Sequence, residues 1–218
     1  MTSHWMRSAV LLVLAAAGPA GLFAQAKAVR SIERTDVAVS IYGAFAESTR
    51  GNGVAQSPSN AAGGLVEVRH IVNPLVGFEG TYAFNHADQH YASTLAAGTC
   101  PVPPLPCGFS PVTVTALAHE VTADWVASVK IANLRPFALA GGGLLFHLPS
   151  SGQASSATAT KPVFVYGAGL DWGLLPHIGL RLQYRGNLYK APDLTRLFTS
   201  TGAFTQTAEP MAGVYLRF

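Results

Sequence analysis

From Asp36 onward the chain alternates apolar and polar positions with a period of two, the pattern of strands that each carry one apolar face. In 36–47 (DVAVSIYGAFAE), Val37, Val39, Ile41, Gly43 and Phe45 oppose Asp36, Ala38, Ser40, Tyr42 and Ala44. In 64–72, Val66 and Val68 oppose Glu67 and Arg69. In 76–85, Val76, Phe78, Tyr82 and Phe84 oppose Gly77, Glu79, Thr81 and Asn85. Segment 119–130 sets Val121, Ala123, Trp125 and Val129 against Glu120, Thr122, Asp124 and Lys130. Segment 164–172 puts Phe164, Tyr166, Leu170 and Trp172 opposite Asp171. The clearest is 178–189, with Ile178, Leu180, Leu182, Tyr184 and Leu188 against Arg181, Gln183, Arg185 and Asn187. Segment 209–218 closes the series, Ala212, Val214, Leu216 and Phe218 against Glu209, Met211, Tyr215 and Arg217. One segment, 135–147 (RPFALAGGGLLFH), is apolar on both faces and leaves its parity open.

These are eight strands of roughly ten residues, the length a tilted membrane-crossing strand needs. Their connections alternate. Three are tight (Asn73-Pro74-Leu75, Ala132-Asn133-Leu134, Leu175-Pro176-His177), and four are long and polar or Pro-rich, around 48–60, 86–112, 148–161 and 190–203. Short turns at one rim and long loops at the other predict an all-β, eight-stranded, antiparallel up-and-down transmembrane β-barrel over 36–218.

Composition agrees. Charged residues are 11% of the 218, against about 25% in an ordinary soluble domain. Hydrophobic content is 49% and mean hydropathy +0.29, so charge is scarce rather than aliphatics abundant. Disorder and coiled coil are both excluded by such a balance. The sequence pI of about 9.0 rests on scattered single residues, so no nucleic-acid partner is expected.

The N-terminus reads as an export signal over 1–26. Arg7 supplies the positive region, Ala9–Leu14 and the alanines after it the apolar region, and Ala24-Gln25-Ala26 the cleavage site. Residues 27–35 follow as a short periplasmic segment. No later run is long and apolar enough for a spanning helix, and the other way to satisfy every backbone group in lipid is a closed barrel.

The strand charges sort by parity. Glu67, Arg69, Glu79, Glu120, Asp124, Asp171, Arg181, Arg185, Glu209 and Arg217 all fall opposite the apolar faces. A soluble barrel would show the reverse, an apolar interior under a charged exterior. Eight strands enclose a lumen just wide enough for side chains to fill, so these residues are expected to form an ion-pair and hydrogen-bond network. The alternative is a narrow conducting path opened by rearranging the pairs.

With its even strand number, loop asymmetry and C-terminal Ala212-Gly213-Val214-Tyr215-Leu216-Arg217-Phe218, the chain resembles the small OmpA/OmpX-type outer-membrane barrels of Gram-negative bacteria. The resemblance implies a monomer embedded in outer-membrane lipid. It also implies that Val214, Leu216 and the terminal Phe218 form the signal read by the barrel-assembly machinery. The role expected is structural or interactive, with four extracellular loops offered to a ligand or surface, and without catalysis or cofactor.

Other motifs carry less. Cys100 and Cys107, in the Pro-rich CPVPPLPC, are expected to pair in one disulfide across the longest loop. No histidine shows metal-ligand spacing. A lipid-modifying enzyme could be assembled from His147 with Ser150 or Ser151, or from His119 with Glu120, but such neighbours are commonplace at strand ends. Tyr42, Tyr82, Phe84, Trp125, Phe164, Trp172, Tyr184 and Phe218 are expected in aromatic girdles. Gly141-Gly142-Gly143 and Gly167-Ala168-Gly169 suggest close strand packing.

Overall fold

A computed structural model describes residues 34–95, 110–150, 155–197 and 200–218. Its strands are β1 (Arg34–Ala46), β2 (Thr49–Gly51), β3 (Val54–Pro58), β4 (Ala61–Ile71), β5 (Val76–Ser93), β6 (Val112–Ser128), β7 (Leu134–Pro149), β8 (Ala159–Gly173), β9 (Ile178–Lys190) and β10 (Phe204–Arg217). Each long strand pairs antiparallel with its neighbour in sequence, and β10 returns to β1, so β1 and β4–β10 close into an eight-stranded barrel. Closure leaves no sheet edge, which is what lipid requires of a spanning sheet.

The sequence parity reappears as geometry. Along β1, Val39, Ile41 and Phe45 are exposed while Asp36, Ala38, Ser40, Tyr42 and Ala44 are buried. The open parity of β7 resolves with Arg135, Phe137, Leu139, Leu145 and His147 inward. Its lumen face is largely apolar, which is why alternation vanished there. Gly141 and Gly143 also face inward, and a Cβ on either would overlap the backbone of β6 at Ala123 or Val121. They let β7 lie close over β6.

The strands are longer than the sequence pattern suggested, reaching 18 residues in β5 and 17 in β6. Beyond the apolar belt the outward residues become His86, Asp88 and His90, so both faces are polar and alternation no longer marks a strand. The first long connection is also not simply a loop. Asn52 and Gly53 take positive φ (50° and 77°) and join β2 to β3, and β3 then pairs with the upper part of β5. Two successive positive-φ residues are the requirement of a type I′ hairpin turn, and Asn-Gly meets it.

One seam is interrupted. Tyr42 pairs with Met211 and Phe45 with Ala208, but the two intervening pairs, Gly43–Pro210 and Ala44–Glu209, are missing from the β1–β10 ladder. Pro210 has no N–H to give. Pro136 and Pro162 avoid this cost by standing just past the ends of the β6–β7 and β8–β9 ladders.

Aromatic side chains gather toward both ends of the outer face. Phe78 packs on Trp125 with ring centres 4.2 Å apart, and Trp172 and Phe218 are exposed near the same short-turn rim. Phe45, Phe84, Phe164 and Phe204 are exposed toward the long-loop rim. Tyr42 is a correction to the expected girdle. It points into the lumen, where its hydroxyl accepts a hydrogen bond from Asn85 (3.1 Å), because its parity is that of Asp36 and Ser40.

Candidate functional site: the barrel lumen

The lumen is filled in tiers. Nearest the short-turn end, Arg69 and Arg181 are fully buried among Asp36, Glu67, Glu79 and Asp171. Arg69 Nε donates to Glu79 Oε2 (2.7 Å), and its Nη1 to Asp171 Oδ2 (3.3 Å). Arg181 grips Asp171 with two nitrogens (2.6 and 2.9 Å), reaches Asp36 Oδ1 (2.9 Å) and also donates to Glu67. Phe137 floors this cluster, its ring centre 4.0 Å from the Arg69 guanidinium carbon and 5.6 Å from that of Arg181. Arg135 and Arg217 stand at the mouth below, with Arg217 over the Tyr215 ring at 4.9 Å. Isolated ions buried like this would cost several kcal/mol each, so the pairing is a condition of folding rather than an ornament.

The middle tier is built round Arg185. Its Nη1 donates to Thr81 (3.1 Å), while Nη2 donates to Thr122 (3.1 Å) and Glu120 (3.2 Å) and lies 3.7 Å from Asp124 Oδ2. Asn187 Nδ2 adds a bond to the other Glu120 oxygen (2.8 Å). Glu209 sits opposite Arg185 in the β9–β10 register and is 3% exposed.

Above this tier small side chains (Ala44, Ala83, Ala116, Ala118) leave a chamber of about 40 Å³. That volume holds roughly three waters at about 15 Å³ each. Tyr42, Asn85, Glu120, His147, Asn187 and Glu209 also line it.

The long-loop end is closed by the segment after β9. Leu194 is fully buried against Val54, Tyr91, Val114, Ala116 and Ala159. The Tyr91 hydroxyl donates to the Pro192 carbonyl (2.7 Å) and accepts from Leu194 N–H (3.1 Å). Asn52 donates to the Ser200 carbonyl (2.8 Å), and Lys161 pairs with Asp193 at 3.4 Å. An apolar plug therefore sits over the polar chamber.

Of the residues the sequence singled out, Glu67, Arg69, Glu79, Glu120, Asp124, Asp171, Arg181 and Arg185 meet in these contacts. Glu209 is buried beside them with no ion pair, and Arg217 lies at the mouth. Asp36 and Arg135 belong to the lumen as well. Asp36 had the right parity in the sequence, whereas Arg135 was hidden by the unreadable face of β7. Val214, Leu216 and Phe218 are exposed on the outer face, and Phe218 N–H bonds to the Thr35 carbonyl (2.9 Å), tying the last strand to the first.

Among the described residues the His119–Glu120 combination does not assemble. His119 lies on the outer face and bonds the Tyr82 hydroxyl (2.8 Å), while Glu120 points inward, as consecutive strand residues must. His147 is buried in the lumen, while Ser150 is half-buried beyond the end of β7. Ser151, Cys100 and Cys107 lie outside the described residues, so the expected disulfide has no geometry to report. Among the described residues no three His, Cys, Asp or Glu side chains group as a metal site.

No family model matches the sequence, and no curated protein matches it either. Solved structures do. The Neisserial surface protein NspA superposes with a TM-score of 0.57 at 16% identity, over 84% of this chain and 97% of that one. OprG of Pseudomonas aeruginosa gives 0.56 at 9% identity, over 85% and 95%. Ail of Yersinia pestis, in complex with the heparin analogue sucrose octasulfate, gives 0.53 at 17% identity, over 86% and 100%. The fold is that of a small outer-membrane β-barrel. In such an outer-membrane barrel the exposed belt of Val, Ile, Leu and aromatic residues is the lipid-facing surface, and the charged tiers are its packed interior.

Proposed function

We propose that this barrel is a structural and surface-contact scaffold of the Gram-negative outer membrane, and neither a channel nor an enzyme. The observation that carries this reading is the double closure of the lumen. The Arg69–Arg181 cluster fills one end, and the Leu194–Tyr91 plug covers the other. A solute would have to break several buried ion pairs to pass, each worth several kcal/mol when one partner is removed.

In this reading residues 1–26 are cleaved on export, the short turns face the periplasm, and Val214, Leu216 and Phe218 are read by the assembly machinery. The barrel works as a monomer. The extension of β5 and β6, with the segment between them whose Cys100 and Cys107 pair in a disulfide in this reading, presents the main contact surface. The fold shared with NspA, Ail and OprG supports the location. Reconstitution in planar bilayers tests the closure: no stepwise conductance is expected, and discrete openings would replace the scaffold with a channel.

A further inference from the structure

The mouth at the short-turn end collects cations that the lumen network does not use. Arg135 stands across from Asp171 in the β7–β8 register, and Arg217 stands across from Asp36 in the β1–β10 register. Both aspartates are engaged elsewhere. Asp171 accepts from Arg181 on its two oxygens (2.6 and 2.9 Å) and from Arg69 on one of them (3.3 Å), while Asp36 Oδ1 accepts from Arg181 (2.9 Å). Among the described residues neither Arg135 nor Arg217 has an ion pair. Arg135 is 8% exposed, and its Nη1 is buried without a hydrogen-bond partner. Arg217 Nε is buried without one as well.

Both arginines line one cavity of about 410 Å³, to which the exposed Lys130 adds a third positive charge. That volume falls within the roughly 300–1,000 Å³ of small-ligand sites. The Arg69–Arg181 cluster closes the cavity from above, so it is a blind recess reached from the short-turn side. Its one carboxylate is Asp171, whose oxygens are already taken. The Tyr215 ring, 4.9 Å from the Arg217 guanidinium carbon, holds that charge at the recess wall. Leu134 and Leu175 share the lining, exposed beside the cations, so an acyl-bearing carrier fits as well as a water-soluble one.

We propose that this recess binds a phosphate group, carried by a free small molecule or by a phospholipid headgroup at the rim. Arg135 and Arg217 donate to its oxygens, and Lys130 adds charge on the open side. A buried guanidinium donor without an acceptor is costly, and an oxyanion supplies the acceptor. Guanidiniums match phosphate oxygens with paired, charge-assisted hydrogen bonds. Three cations with unused donors suit phosphate, with its larger charge and further oxygens, better than a lone carboxylate.

The test uses the full chain folded in a sugar-headgroup detergent, free of phospholipid, and titrated with inorganic phosphate at constant ionic strength in a calorimeter. Saturable binding of one equivalent is expected. Arg135→Gln is expected to bind at least about tenfold more weakly, while Arg50→Gln, an exposed arginine on β2, binds as the wild type does. Lys130→Gln alters an exposed residue and is expected to weaken binding in the same direction, which keeps the test decisive should Arg135→Gln not fold. Phosphatidylglycerol doped into the micelles then either displaces the phosphate, which assigns the group to a lipid headgroup, or leaves it bound, which assigns it to a free ligand. Both results keep the site. Absence of saturable binding by the folded wild type, or equal binding by Arg135→Gln and Lys130→Gln, overturns the proposal. A phosphate-indifferent wild type that Arg135→Gln destabilises would show that Arg135 serves only the carboxylates above it, and overturns the proposal equally.

Discussion

The ring of Phe137 lies 4.0 Å from the guanidinium carbon of Arg69, so an apolar side chain on the lumen face of β7 supports a buried charge. The aromatic face replaces part of the hydration Arg69 has lost, a contact worth about 2 kcal/mol where both partners are desolvated. Phe137→Leu, which keeps an apolar filler, is expected to lower the unfolding free energy by about 2 kcal/mol. Phe137→Ala adds a cavity and should cost about 3–5 kcal/mol. Urea unfolding in detergent micelles reads both, and a Phe137→Leu cost near zero beside a large Phe137→Ala cost would mean that the ring acts by volume alone.

Arg181 joins Asp171, Asp36 and Glu67, so its loss strands Asp36 and leaves Asp171 and Glu67 to Arg69 alone. Arg181→Met is expected to destabilise by at least about 3–5 kcal/mol, the usual cost of removing one member of a buried pair. Adding Asp171→Asn should recover part of that loss. A double-mutant cycle measures the coupling, and simple additivity would remove the network from the account.

Pro210 interrupts the β1–β10 ladder at Gly43. Its side chain faces outward and is exposed, so Pro210→Val restores a donor without crowding the lumen. A gain of about 1 kcal/mol is expected from the recovered hydrogen bond. Pro162→Val should be neutral, since the β8–β9 ladder does not extend to that residue. Parallel unfolding curves compare the two, and a destabilised Pro210→Val would mean the gap serves the native geometry.

Leu194 is the centre of the plug. Leu194→Asp, a charge without a partner in an apolar cluster, is expected to release the segment after β9 while the barrel below stays closed. Limited proteolysis should then cut within 191–203 at least tenfold faster, with the barrel fragment intact. Unchanged cleavage would contradict the plug.

The fold was legible because lipid imposes a strict rule on each crossing. Val39 and Ile41 must face out and Asp36 and Ser40 in, and a period of two records it. The lumen list was legible for the same reason, since a charge such as Arg181 or Glu67 has only the interior available to it. Where the rule lapses, so did the reading. On β7 the inward Phe137, Leu139 and Leu145 erase the contrast and concealed Arg135. Above the belt the strands of β5 and β6 stand in water on their outer face, and region 86–112 read as loop. Asn52-Gly53 did carry a local hairpin signal, which the assignment of 48–60 to a loop passed over. The plug was not legible at all: Leu194 and Tyr91 are 103 residues apart, and nothing in the pattern brings them together.

The most direct test of a closed, filled membrane barrel is gel mobility before and after heating, joined to circular dichroism in detergent. The folded protein is expected to run as a compact band when unheated, to slow on boiling, and to show a β-type spectrum lost in the same step. A chain that stays soluble and monomeric without detergent, with mobility indifferent to heating, would contradict it.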